Sequence, residues 1–200
     1  MYQLVETIKC KNGELFNLRY HQARFNLTRR ALFHRKDEIN LENVIQIPDE
    51  FRKGLFRCRV IFGEKIEKVE FHPHQYRSVK SLKLIEANDL DYRFKYTNRE
   101  KLNTLFEQRE SCDDILIVKN GFITDSYISN VVFFDGRKWW TPDTPLLPGT
   151  QRARLIHEKK ISVCPISSVD LAKYQKAGLI NAMQDLDNMP KISISDIVNF

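Results

Sequence analysis

Two hundred residues, 42% of them hydrophobic and 29% charged, can bury one sizeable core or two small ones, which excludes a disordered or fibrous chain. The 32 basic residues outweigh the 26 acidic ones to give a net charge of +6, a mild bias that suits a small anionic substrate or cofactor. Basic residues are scattered rather than massed, so no nucleic-acid track is expected, and runs such as TRRALFHRK read as solvated helix faces.

Nothing approaches the roughly 20 apolar residues of a membrane span, and MYQLVETIKC lacks the basic-then-apolar order of a leader, so the expectation is a cytoplasmic protein with no membrane partner. From the start, LVETIKC reads as a strand, KNG as a hairpin turn and ELF as its partner, before a helix about YHQARFNLTRRALFHR. Phe56, Cys58, Val60 and Phe62 alternate with Arg57, Arg59 and Ile61 in a half-buried strand, and EKIEKVEFHPH is its hairpin partner. HPHQYRSVKS carries no clear period, and SVKSLKLIEAND reads as another strand.

NREKLNTLFEQRE places Leu102, Leu105 and Phe106 on one helical face with Asn98 as cap. Hairpins follow on Asn120-Gly121 and Asp135-Gly136, then a helix after Gly149, and ISVCPISSVDLAKYQKAGLINAM reads strand, helix, strand. The fold class is α/β (α+β) with two lobes, a smaller one over 1–88 and a larger one over 89–200. Cys10, Cys58, Cys112 and Cys164 lie far apart with no CxxC pair and read as free thiols. His21, His34, His72, His74 and His157 show no metal-ligand spacing, so no metal is expected.

One lysine stands out. Lys95 sits between Phe94 and Tyr96, either snorkelling its stem over a core or kept as a desolvated amine for chemistry. The ordered set ETIK, HQAR, KYTNR, KNGFITD, SN, TPDTPLLPGTQR and INAM resembles the class IV family of pyridoxal-phosphate enzymes, from about Val5 to Pro190. Within that family it is most similar to the 4-amino-4-deoxychorismate lyases, and less so to the branched-chain and D-amino-acid aminotransferases.

The resemblance implies a two-lobed fold, a homodimer, pyridoxal 5'-phosphate as cofactor, and a lyase that splits 4-amino-4-deoxychorismate into 4-aminobenzoate and pyruvate in folate-precursor synthesis. It also leaves open a class IV aminotransferase, or a cofactor-free relative without catalysis. Lys95 matches the lysine that joins the cofactor, and burial would lower its pKa toward the neutral amine that attacks an aldehyde. Lys101, in the following helix, is the competing amine.

Asp125 matches the acid that pairs with the pyridine nitrogen, where the family usually has Glu; read alone, it is also a good turn residue. Arg24 matches the phosphate-gripping arginine, and Gly149, Thr150 and Gln151 would open a helix toward the phosphate, with Gln151 where the family usually has a hydroxyl. As structure alone, PGT is a helix start and Arg24 a helix charge. Ser129 and Asn130 match a polar turn beside the cofactor and equally suit turn stabilisation. Asn181 and Ala182 stand where the aminotransferases tend to carry hydroxyls and the lyases an Asn-Ala or Asn-Ser.

Overall fold

A computed structural model describes residues 2–198, and the chain divides into two units. One unit runs up to Tyr76 and takes in Phe94–Asn98; the other comprises Arg77–Arg93 and continues from Arg99. The division falls inside the aperiodic HPHQYRSVKS stretch. Phe94–Asn98, expected with the residues beyond 88, joins the first unit through its backbone: Val5 N–H donates to Lys95 O (3.0 Å) and Thr97 N–H to Gln3 O (2.9 Å).

The first unit is a four-stranded antiparallel sheet in the order β2-β1-β3-β4, comprising β1 (Leu4–Lys11), β2 (Glu14–Leu15), β3 (Leu55–Phe62) and β4 (Ile66–Pro73). The β1–β2 turn is tight because Asn12 and Gly13 both take positive φ, 52° and 81°, as this hairpin class demands. Helix α1 (Leu18–Phe33) covers one sheet face, and its buried His21, Phe25, Thr28 and Arg29 follow helical spacing. Phe25, Leu4, Ile8, Val60 and Phe62 form the core, against which Phe94 and Tyr96 pack. Short helix α2 (Leu41–Val44) adds Leu41 to it.

Arg29, expected on a solvated face, is instead only 1% exposed. Its guanidinium donates to Asp37 O, Asp37 Oδ2 and Glu64 O at 2.7, 2.9 and 3.0 Å, which answers the cost of burying a charge. It ties the end of α1 to the β3–β4 turn.

The second unit holds a nine-stranded mixed sheet. β5 (Leu82–Glu86) pairs in parallel with β6 (Asp114–Lys119), and helix α3 (Glu100–Glu107) lies between them in the chain. Arg99, not Asn98, is the α3 cap residue, with no side-chain bond to the first turn. β6 continues through hairpins to β7 (Phe122–Ser126), β8 (Asn130–Phe134) and β9 (Trp139–Pro142). Both turns carry positive φ where Asn-Gly and Asp-Gly stand: Asn120, Gly121 and Gly136.

Helix α4 (Thr150–His157) then leads to β10 (Ile161–Cys164), parallel to β9. The expected helix beyond β10 is a short 3-10 turn, Ser168–Lys173, held by the reciprocal Ser167/Asp170 cap. β11 (Lys176–Ile180) pairs with β8 and with β12 (Lys191–Ser193), and β13 (Ile197–Val198) closes the edge beside β5. The core gathers Leu82, Leu84, Leu116, Val131, Phe133 and Leu179.

Candidate active site

In the first unit the site grows from a strand that breaks its own pattern. Leu4, Ile8 and Cys10 turn inward along β1, and so does Glu6, which is 1% exposed. Its partners come from one face of α1, three residues apart. Arg24 Nε donates to Glu6 Oε1 at 2.8 Å and Nη2 to Oε2 at 2.6 Å, while His21 Nδ1 lies 2.6 Å from Oε2.

Burial pushes the Glu6 carboxyl up, but Arg24 and then His21 outweigh it and hold it at about 2. Glu6 is therefore an anion at neutral pH and accepts only, so the proton between Glu6 and His21 sits on Nδ1. Burial lowers the His21 pKa; Glu6 opposes this, while Arg24 and Lys95 reinforce it. Lys95 thus stands within the electrostatic field of His21. The aromatic flanks now have a physical reason: Phe94 and Tyr96 face the core, and Lys95 between them is half-buried.

The second unit gathers the other candidates. Asp125, near the end of β7, is 5% exposed, and burial pushes its carboxyl up to about 6, against the bonds it accepts from Leu147 and Asn130. Leu147 N–H donates to Oδ2 at 2.8 Å, and Asn130 Nδ2 to Oδ1 at 2.7 Å and to Leu147 O at 2.9 Å. Asp125 and Asn130 therefore pin the loop before α4 from both its donor and its acceptor.

That pinning fixes the next residue. A Cβ on Gly149 would fall 1.8 Å from Asn130 Oδ1, so only glycine fits there. Gly149 is also the cap of α4 and brings no side chain to the first-turn N–H groups, while Thr150 and Gln151 are buried. Arg152 anchors the helix start to β9, donating from Nη2 to Pro142 O (2.6 Å) and from Nε to Thr141 Oγ1 (3.2 Å). Asn181 Nδ2 donates to Ser129 Oγ (2.9 Å) and Gln184 Oε1 (3.0 Å), and Asn181 Oδ1 accepts from Met183 N–H at 2.9 Å. Ala182 lies inside this turn, half-buried.

Lys95 and Arg24 are thus brought together with Glu6 and His21 in the first unit. In the second unit, Asp125, Asn130, Gly149, Thr150 and Gln151 form one group, and Ser129, Asn181 and Ala182 another. Glu6, His21 and Arg152 were not assigned from the sequence. Glu6 left one trace, a charge at an inward position of an alternating strand.

The chain matches the family described as amino-transferase class IV along residues 3–187. It is 37% identical over 188 residues to an uncharacterized protein of Haemophilus influenzae (strain ATCC 51907 / DSM 11121 / KW20 / Rd), covering 93% of this chain and 100% of that protein. A crystal structure from Haemophilus somnus 129PT, provisionally named a 4-amino-4-deoxychorismate lyase, is 36% identical, with TM-score 0.87 over 93% of this chain and 98% of that one. The pyridoxal-phosphate-bound form of a hypothetical aminotransferase from Mycobacterium tuberculosis has TM-score 0.76 at 16% identity, over 96% of this chain and 80% of that one, a likeness of fold alone. With the family match running through nearly all of both units, the chain belongs to the class IV aminotransferase family.

Proposed function

We propose that the chain is a pyridoxal-phosphate-dependent lyase converting 4-amino-4-deoxychorismate to 4-aminobenzoate and pyruvate. The observation that carries this reading is the 36% likeness, over nearly the full length of both chains, to the Haemophilus somnus protein provisionally named such a lyase. Asn181-Ala182, the pair that resembles the lyases, adds to it. The products together contain the atoms of the substrate, so no co-reactant is needed.

The residues fit the cofactor by their chemistry. Arg24 and the first turn of α4, which has no side-chain cap, supply a guanidinium and backbone N–H donors of the kind a phosphate accepts from. Asp125, with its carboxyl at about 6, is mostly ionised at neutral pH and suits a protonated ring nitrogen; each of its oxygens keeps a second lone pair beyond the bonds from Leu147 and Asn130. When bound, pyridoxal phosphate supplies an aldehyde for an amine and a ring that draws electrons from the carbon bearing it.

In this reading Lys95 does the proton work: its Nζ removes the proton from the amine-bearing carbon of the substrate. Glu6 and His21 act through position. Glu6 fixes two of the guanidinium nitrogens, so Arg24 presents a set orientation, and His21 braces Glu6 through Oε2, the oxygen that Arg24 Nη2 also meets.

A class IV aminotransferase is the second reading, supported by the match to the family described as amino-transferase class IV along residues 3–187. Adding fresh aminodeoxychorismate to the purified protein with pyridoxal phosphate separates the two. The lyase reading expects equal amounts of 4-aminobenzoate and pyruvate with no amino acceptor present. No product without an acceptor, and amino transfer once a 2-oxo acid is added, would replace it by the aminotransferase reading.

A further inference from the structure

The loop between β9 and α4 carries Leu147 and Gly149, and it is short of donors of its own, because Pro142, Pro145 and Pro148 have no N–H. Side chains hold it instead. Thr144 Oγ1 donates to Ile123 O of β7 at 3.1 Å, and Leu147 is held through its N–H by Asp125 and through its carbonyl by Asn130. A further tie joins the two ends of the loop. Arg152, the third residue of α4, donates from Nη2 to Pro142 O at 2.6 Å. Its Nε donates to Thr141 Oγ1 at 3.2 Å, and that hydroxyl donates in turn to Val131 O of β8 at 3.0 Å.

Both of these acceptors are uncharged, so the guanidinium closes the loop without spending its charge there. That charge acts at longer range. Burial lowers the Arg152 pKa, and Asp125 and then Asp143 oppose it. Asp125 feels the same attraction: after Leu147 and Asn130, Arg152 pulls its carboxyl down against the burial that raises it. One side chain thus bears on Asp125 twice, through the loop that carries Leu147 and through its field.

We propose that Arg152 is a positioning residue for cofactor binding: by closing the loop between β9 and α4 on itself, it holds Asp125 and the first turn of α4 in one rigid frame. The inference rests on the pyridoxal-phosphate reading above, which gives the ring nitrogen to Asp125 and the phosphate to that turn. Arg152 acts through Leu147 and the helix start rather than by touching the cofactor. A frame set in advance lowers the ordering cost of binding.

The test compares the full-length chain with Arg152→Met, which keeps an apolar stem but neither donors nor charge, and with Arg152→Lys, which keeps the charge without the fork. In the cofactor-free proteins, NMR follows hydrogen exchange of the Leu147 amide and titration of the Asp125 carboxyl; absorbance then gives pyridoxal-phosphate affinity. In Arg152→Met the Leu147 amide should exchange about tenfold faster while the β6 amides stay protected. The Asp125 midpoint should rise, and cofactor binding should weaken about tenfold. Arg152→Lys should return the midpoint toward wild type and still exchange faster at Leu147, and it decides the matter if Arg152→Met does not fold. Wild-type exchange at Leu147, acceleration shared equally by β6, or undiminished affinity in the variants would overturn the role of Arg152 alone. A wild-type protein that takes up no pyridoxal phosphate would overturn the cofactor reading, and this role with it.

Discussion

Replacing Glu6 by Gln removes the anion that both Arg24 and His21 address, and its effect can be worked from the structure. The Glu6 carboxyl lies at about 2, against an ordinary 4.5. At about 1.4 kcal/mol per pKa unit, ionised Glu6 contributes about 3 kcal/mol to folding at pH 7. Because the folded pKa is depressed, that contribution is full above the unfolded value and is lost as pH falls through the folded one. At pH 3 roughly half of it remains. Urea unfolding followed by circular dichroism should therefore show Glu6→Gln weaker than wild type by about 3 kcal/mol at pH 7 and by about half that at pH 3. A gap that stays constant with pH, or no gap at pH 7, would mean that Glu6 is not held as a buried anion.

Gly149→Ala should shift or unseat the start of α4, since the new methyl would fall 1.8 Å from Asn130 Oδ1. A loss of about 1–3 kcal/mol by thermal unfolding is expected, and an unchanged midpoint would show that the loop gives way freely. Asp125→Asn acts in two ways. Its carboxyl, raised to about 6, favours the folded state below the unfolded value of 3.8 and loses that contribution, about 3 kcal/mol, as pH rises through 6. The variant should therefore lose stability less steeply than wild type between pH 4 and 6. Its amide also meets one of two donors, Leu147 N–H or Asn130 Nδ2, so titrated cofactor absorbance should show weaker retention together with lost turnover. Equal pH slopes in both proteins would rule out a buried, strained carboxyl. Arg24→Ala should weaken cofactor affinity more than it alters the bound cofactor's spectrum, and unchanged affinity would return Arg24 to a purely structural role.

What could be read from the sequence was what nearest neighbours decide. Asn12-Gly13, Asn120-Gly121 and Asp135-Gly136 mark hairpins because the positive φ values of Asn12, Gly13, Asn120, Gly121 and Gly136 are cheap for asparagine and glycine. The inward alternation of β3 and the helical spacing of α1 are likewise local. The misplacements are long-range. Phe94–Asn98 joins β1 through bonds to residues some ninety positions earlier, which no local pattern encodes. Arg29 looked like one more surface charge until Glu64 O and Asp37 arrived from elsewhere in the chain. In the candidate site, Lys95, Arg24 and Asp125 were proposed from motif order, but Glu6 meets its partners only when α1 folds back over β1. Arg152 is similar, because its acceptors lie on β9, ten and eleven residues before it.

The central claim is that Lys95 carries the cofactor. Borohydride reduction of the pyridoxal-phosphate-loaded protein, followed by peptide mapping, tests it most directly. The account predicts a single pyridoxyl adduct on Lys95, absent from Lys95→Ala even though that variant remains folded. An adduct on Lys101, or no stable adduct in the wild-type protein, would contradict it.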